Sequence, residues 1–126
     1  MTGITTRELL QELQGYTGTE TWWRHWANRK VTYTDGVKEF ADKAGAHWLL
    51  DIFATELWKP VNEHRFLELL CKVGNNEKAE LTANNRVDIV WRREIEWTDC
   101  PAGEWKFLFG EGGPEDSFTL LLPSEY

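Results

Sequence analysis

The densest group of titratable side chains lies in the N-terminal third: Glu20, Arg24, His25, Tyr33 and Asp35. If residues 21–26 and 30–34 pair as a hairpin, these groups converge at one end of it. Histidine titrates near neutral pH, so a carboxylate and a tyrosine beside His25 could perform general acid–base catalysis. This predicts, as an alternative function, a small nuclease or hydrolase centred on His25, Tyr33 and Asp35. The structural interpretation instead pairs Arg24 with Glu20 and makes Asp35 a helix cap.

The other components of an active site are missing from the sequence. The histidines, His25, His47 and His64, have no spacing that would seat a metal on one helix or strand face. The glycine-rich stretch 110–114 carries Glu111 where an anion would bind, so we interpret it as a hairpin loop. No serine stands in a nucleophile-elbow pattern. We therefore expect no cofactor, no metal and no catalytic residue.

Aromatic residues interleave with cations around Trp22, Trp23 and Arg24. Rings that stack on bases beside cations that meet phosphates are typical of single-stranded nucleic-acid binding, which is a second alternative. The patch is small and the chain is acidic, with a pI of about 5.0. Direct nucleic-acid binding is therefore not our expectation.

The same stretch also suggests protein binding. Neighbouring residues on a strand face opposite sides, and a two-layer fold has only one core side. One of Trp22 and Trp23 must then be exposed or covered by a loop or a partner, as interface hot spots are. We expect most of the eight tryptophans to belong to the core. The predicted protein-binding residues here are Trp22, Trp23, Arg24 and His25.

Negative charge is concentrated at the C-terminal end. The net charge is −7, and residues 94–126 carry eight acidic side chains against Lys106 alone. Such a surface repels phosphates and attracts a basic partner, although it could equally be a solvated face that aids solubility. The predicted contact residues in this quarter are Glu104, Glu111, Glu115 and Asp116.

The first half of the chain predicts helices. Residues Thr5 to Glu8 match a capping box before a helix over residues 6–14. Asp35 is a plausible N-cap for a helix that Gly45 interrupts. Residues 46–57 are apolar nearly all round and should form the central buried helix, which Pro60 ends. A buried carboxylate at Asp51 inside that stretch would need a partner such as Arg24 or Lys30; alternatively, Asp51 faces solvent on the narrow polar side with Thr55.

After Pro60 the apolar period changes from 3.6 to 2, with turn signals at residues 74–76, 84–85, 101–103 and 110–114. This predicts four or five strands joined by short turns. We therefore expect one α+β domain over residues 1–126, in two layers. Its N-terminal helices pack on one face of a four- to five-stranded antiparallel meander sheet.

No stretch is apolar enough to span a bilayer, and residues 1–13 do not resemble a signal peptide. Cys71 and Cys100 belong to no metal or redox motif, so we expect two free thiols in a reducing compartment. These features predict a cytoplasmic protein without membrane contact.

Four stretches carry a resemblance to a known family: residues 16–25 (YTGTETWWRH), 33–37 (YTDGV), 44–51 (AGAHWLLD) and 120–126 (LLLPSEY). The chain resembles, over nearly its full length, a family of short bacterial proteins of unknown function that is often found in mobile-element and plasmid settings. The stretch 74–86 fits least well. The resemblance brings no activity, cofactor or catalytic residue, but it suggests a role in the contest between mobile elements and hosts.

We therefore expect a non-enzymatic interaction protein of phage or mobile-element origin. Its predicted partner is a host protein or protein–nucleic acid complex whose activity it modulates. Inhibition of a defence nuclease, in the manner of an anti-CRISPR protein, would suit the acidic C-terminal quarter, because an acidic surface can occupy a nucleic-acid channel. A homodimer is left open, because a tryptophan-rich sheet edge could bury itself against a second copy.

Overall fold

In the computed structural model, residues 4–17 and 21–126 are described, and over these ranges four α-helices accompany a seven-stranded sheet. The helices are α1 (Thr6–Leu13), α2 (Asp35–Ala44), α3 (His47–Glu56) and α4 (Trp58–His64). The strands are β1 (Trp22–Arg24), β2 (Val31–Thr34), β3 (Phe66–Val73), β4 (Ala79–Asn84), β5 (Ile89–Ile95), β6 (Gly103–Glu111) and β7 (Phe118–Leu121). The α+β class is thereby confirmed.

The starts of the first two helices are set by threonines. At α1 the predicted capping box is confirmed, since the Glu8 N–H donates to Thr5 and the Thr5 N–H donates to the Glu8 carboxylate, both at 3.1 Å. At α2 the predicted cap is wrong by one residue. Thr34 is the N-cap and accepts the Val37 N–H, while Asp35 is the first helical residue. Both side chains can cap a helix, so sequence alone did not separate them.

The predicted role of Pro60 is also wrong. Helix α3 ends at Glu56, and Pro60 lies in the first turn of α4. A proline is tolerated there because the first N–H groups of a helix have no intrahelical acceptor. None of the helices in the described ranges is long and apolar enough to cross a bilayer.

The predicted antiparallel meander of four to five strands is wrong. The strand order is β1-β2-β7-β6-β3-β4-β5, and the sheet is mixed because β2 runs parallel to β7. Residues 96–102 do not form a hairpin to a neighbouring strand. They cross over the ends of β4 and β3, so β6 pairs with β3, which gives the order of a Greek key.

The core lies between the helices and one face of this sheet, which we call the helix face. The ring centroid of Phe107 on β6 lies 5.0 Å from that of Phe40 on α2 and 5.8 Å from that of Phe53 on α3. Trp48 is partly buried against this core. The opposite side of the sheet, the open face, carries the even-numbered residues of β1 and β2 and therefore positions the candidate site.

Candidate functional site

The β1–β2 hairpin forms one edge of the sheet and sends its two adjacent tryptophans to opposite faces. Trp22 points to the open face, and Trp23 points to the helix face, where its indole N–H donates to Asp35 at 3.0 Å and Lys38 lies over its ring. Both remain accessible, with 42% of Trp22 and 39% of Trp23 exposed. The prediction that the pair faces two sides is confirmed, and both side chains are available to a partner.

Trp22 forms one wall of a groove on the open face, with a volume of about 310 Å³. The residues that line this open-face groove come from five strands, the β6–β7 loop and the C-terminal segment: Trp22, Thr34, Phe66, Gly110–Gly113, Thr119, Leu121, Glu125 and Tyr126. The hydroxyl groups on the floor of the groove already have hydrogen-bond acceptors within the chain. The Thr34 hydroxyl donates to Glu125 and the Thr119 hydroxyl donates to the Gly112 carbonyl. The groove therefore offers mainly apolar surface.

Three of the predicted acidic contact residues, Glu111, Glu115 and Asp116, lie in or beside the β6–β7 loop at one end of this groove. An Arg24 guanidinium nitrogen lies 2.9 Å from the Glu115 carboxylate, which is 79% exposed, and Arg65 lies 3.5 Å from that of Glu111. The loop is a hairpin connection, as predicted. Glu115 and Asp116 have φ angles of 55° and 59°, the left-handed region that non-glycine residues rarely adopt. Only surrounding structure keeps residues in that region.

Glu104 does not belong to this group. It is exposed near the start of β6, whereas Glu111 ends the same strand. Seven residues of strand separate the two by roughly 23 Å. The predicted set of acidic contact residues is thus divided between two ends of the sheet, and only the end with Arg24 adjoins the groove.

His25 is a buried structural residue. Its Nδ1 accepts the backbone N–H groups of Ala27 at 3.1 Å and Asn28 at 3.3 Å, so the ring proton is on Nε2, which lies 2.8 Å from Asp51. The side chain is 2% exposed. Asp51 also accepts the Trp26 indole N–H at 3.0 Å, so its partners are His25 and Trp26, and the prediction of Arg24 or Lys30 is wrong. The alternative position is the one found, since 44% of the Asp51 side chain is exposed and Thr55 beside it is exposed too. His25 shapes the β1–β2 turn and offers no free nitrogen to a substrate.

Two of the three residues of the enzymatic alternative are bound to residues outside it, and the third is partly buried. Asp35 accepts the Trp23 N–H, His25 is bound to Asp51, and burial raises the pKa of Tyr33 above its ordinary value of 10.0. Glu20, the remaining member of the predicted constellation, lies outside the described residues. Within the described ranges, no group of three histidine, cysteine, aspartate or glutamate side chains could hold a metal.

The expectation that most tryptophans fill the core is wrong. In the described chain Trp105 is buried and donates to the Pro101 carbonyl, and Trp48, Trp58 and Trp91 are partly buried against the core. Trp26 and Trp97 are 75% and 64% exposed, and with Trp22 and Trp23 they make four accessible indoles. Three of these four, Trp22, Trp23 and Trp26, lie on or just after the short edge strand β1, where neither the helices nor the rest of the sheet can cover them fully.

Of the groove residues, only Trp22 and Glu111 were predicted as contact residues. Among those missed are two aromatic residues, Phe66 and Tyr126, whose rings pack edge to face with centroids 5.8 Å apart. Phe66 did carry a signal, because it alternates with the core residues of β3 and so faces away from the helices. No local sequence pattern predicts the position of Tyr126. Its place depends on the turn at Pro123–Glu125 that folds the C-terminal segment over the sheet.

The four stretches that carry the family resemblance meet in pairs. His25 of the first binds Asp51 of the third, and Thr34 and Gly36 of the second bind Glu125 of the fourth. These pairs fasten the edge hairpin to α3 and the C-terminal segment to the start of α2.

Comparison with known proteins identifies the family of this chain but assigns it no activity. No curated protein and no solved structure shows significant similarity to the chain. One family model, described as a family of unknown function, matches residues 7–126. With nearly all of its length matched, the chain belongs to the family DUF6876.

Proposed function

We propose that this protein is a non-enzymatic binding domain whose open-face groove receives an apolar side chain from a basic segment of a partner protein. The observation that carries the proposal is Trp22, which forms a wall of the groove and is still 42% exposed. Large aromatic side chains in such positions dominate binding energy at protein interfaces.

The size and chemistry of the groove support this proposal. A volume of about 310 Å³ has room for one large side chain and little more. The apolar lining, contributed by Trp22, Phe66, Leu121 and Tyr126, gains free energy from burial. The hydroxyls of Thr34 and Thr119 already have acceptors within the chain and need none from a ligand.

The charges beside the groove favour a basic partner. Glu111, Glu115 and Asp116 outnumber the two neighbouring arginines, Arg24 and Arg65, each of which already faces a glutamate. The excess is part of the larger acidic surplus of residues 94–126. Complementary charge steers association and sets specificity more than it raises affinity.

A more specific form of the proposal follows from the family resemblance. The partner is a host protein or protein–nucleic acid complex in the cytoplasm, and the protein modulates it on behalf of a phage or mobile element. A defence nuclease suits this description, because its nucleic-acid channel is basic and an acidic domain can block it. The support for this step is charge and resemblance.

The test is a quantitative cross-linking pull-down from bacterial lysate with matched variants. Trp22→Ala should reduce capture of the partner about tenfold or more, because hot-spot truncations cost at least about 2 kcal/mol. Trp97→Ala, which removes a more exposed indole just after the end of β5 and away from the groove, should leave capture unchanged. Equal capture by wild type and Trp22→Ala would overturn the proposal, as would turnover of a substrate that depends on His25.

A charge variant tests the basic character of the partner. Replacing Glu111, Glu115 and Asp116 by their amides should weaken binding, and the loss should be larger at low salt, where surface charges are least screened. Glu104→Gln is the matched control, since this residue lies at the other end of β6. An unchanged salt dependence in the triple variant would contradict a basic partner.

A further inference from the structure

We infer that strand β1 is a docking edge for a second copy of this chain, which adds its own β1 in antiparallel orientation and joins two seven-stranded sheets into one. The inference does not rest on the proposed function, because it concerns the backbone edge of β1 and not the groove. It assigns a self-complementary interaction surface to residues Trp22–Arg24.

The pairing of the hairpin shows which backbone groups are free for a second strand. The His25 N–H donates to the Val31 carbonyl at 2.9 Å, and the register places Trp23 opposite Tyr33. Opposed residues of an antiparallel pair alternate between bonded and non-bonded positions. Trp23 is therefore bonded to β2, while the N–H and C=O groups of Trp22 and Arg24 point away from the sheet.

The two edges of the sheet differ in how well they are protected. The other edge strand, β5, presents consecutive charged residues, Arg92, Arg93 and Glu94, and charge on an edge discourages further pairing. Strand β1 has two tryptophans and no proline. Its one charged residue, Arg24, stands alone, whereas the three charged residues of β5 are consecutive. Of the two edges, β1 is the one suited to accept a strand.

A second copy matches this edge in side chains as well as in backbone. A two-fold axis at Trp23 places Trp22 of each copy opposite Arg24 of the other. Each of these two symmetry-related pairs exchanges two backbone hydrogen bonds. On the open face each indole then meets a guanidinium in a cation–π pair. On the helix face the two Trp23 rings form a close cross-strand pair, which is favourable for aromatic residues.

The axis is perpendicular to the sheet, so both open-face grooves face the same side in the dimer. Trp22 remains a groove wall in each copy, beside the junction. A dimer would therefore present two grooves to a partner, although neither the groove nor its proposed ligand is needed to form it.

Disulfide trapping tests the register directly. At the two-fold axis the Trp23 Cα atoms should be about 4.5 Å apart, within the disulfide range of roughly 4.4–6.8 Å. Trp23→Cys should form an intermolecular disulfide under mild oxidation, while Trp97→Cys, more exposed but away from β1, should form none. The native Cys71 and Cys100 are buried and should not interfere. Failure of Trp23→Cys to cross-link above the level of Trp97→Cys would overturn the inference.

Sedimentation equilibrium supplies an independent measurement. Wild type and Arg24→Ala should show twice the 14.7 kDa chain mass. Arg24→Pro removes an outward-pointing N–H, leaves the ladder to β2 intact, and should dissociate at least tenfold more readily. Circular dichroism verifies that this variant folds. A monomeric wild type, or a dimer that persists in Arg24→Pro, would contradict the inference. A monomer that still loses partner capture in Trp22→Ala would leave the groove proposal standing.

Discussion

The Glu125 carboxylate accepts the backbone N–H of Gly36 at 3.1 Å, at the first turn of α2. Its other oxygen accepts the Thr34 hydroxyl at 2.6 Å and the Leu122 N–H at 3.0 Å. An anion at a helix N-terminus is favoured by the helix dipole, so the C-terminal segment and α2 stabilise each other.

Glu125→Gln should destabilise the fold, because an amide NH₂ would face donors where a carboxylate oxygen now accepts. Loss of such a buried, charge-assisted arrangement costs about 1–3 kcal/mol. Urea unfolding measures the change, with Glu104→Gln as the control on an exposed glutamate. Equal unfolding free energies for the two variants would show that the Glu125 contacts contribute nothing.

Asp51 should act as a hydrogen-bond acceptor and not as a charge. Asp51→Asn keeps an oxygen for His25 Nε2 and the Trp26 N–H, whereas Asp51→Ala leaves the buried His25 donor unsatisfied. We expect Asp51→Ala to lose about 1–3 kcal/mol of unfolding free energy and Asp51→Asn less than half as much. Chemical denaturation of both variants tests this. A larger loss in Asp51→Asn would contradict the neutral tautomer assigned to His25.

The cysteines should be inert in the folded protein. Burial raises the pKa of Cys71 from 9.0 to about 12. Burial, together with the nearby charges of Cys71 and Asp99, raises the pKa of Cys100 from 9.0 to about 12. A thiol reagent at pH 8 should label neither residue until the protein unfolds. Labelling of the native protein at the rate of an exposed thiol would contradict this.

The same pKa shifts predict a decline of stability in alkali. Unfolded thiols ionise near pH 9, while the folded ones stay neutral until about pH 12. The thiols' contribution is therefore complete below pH 9 and is lost as the pH rises from about 9 towards 12. Cys71→Val should show a shallower fall of unfolding free energy across this window. Parallel pH profiles for wild type and variant would exclude the effect.

The β6–β7 loop offers a matched pair of glycines. Gly112 and Gly113 have φ angles of 124° and 120°, so alanine is strained at either. A Cβ at Gly113 would also collide with the Thr119 hydroxyl, whereas one at Gly112 meets open space. Gly113→Ala should therefore lower the melting temperature more than Gly112→Ala does. Equal shifts in thermal unfolding would show that the loop relaxes freely.

Much of the local structure followed from residue type and spacing. The capping box at Thr5, the helix end at Gly45 and the period-2 alternation of β3 are properties of neighbouring residues, so sequence alone predicts them. The adjacency of Trp22 and Trp23 likewise required two faces, whatever the fold. Each of these arguments involves residues within a few positions of one another.

Only the tertiary structure decided which strands pair and which side chains meet. Residues 96–102 could have turned into a hairpin, but they cross over two strands, and the hairpin of residues 22–34 joins the sheet through the parallel partner β7. Contacts such as Arg24 with Glu115 and Gly36 with Glu125 span about ninety residues. No local pattern encodes them, because burial of the apolar faces can be satisfied by several strand orders and the packing of the whole chain selects one.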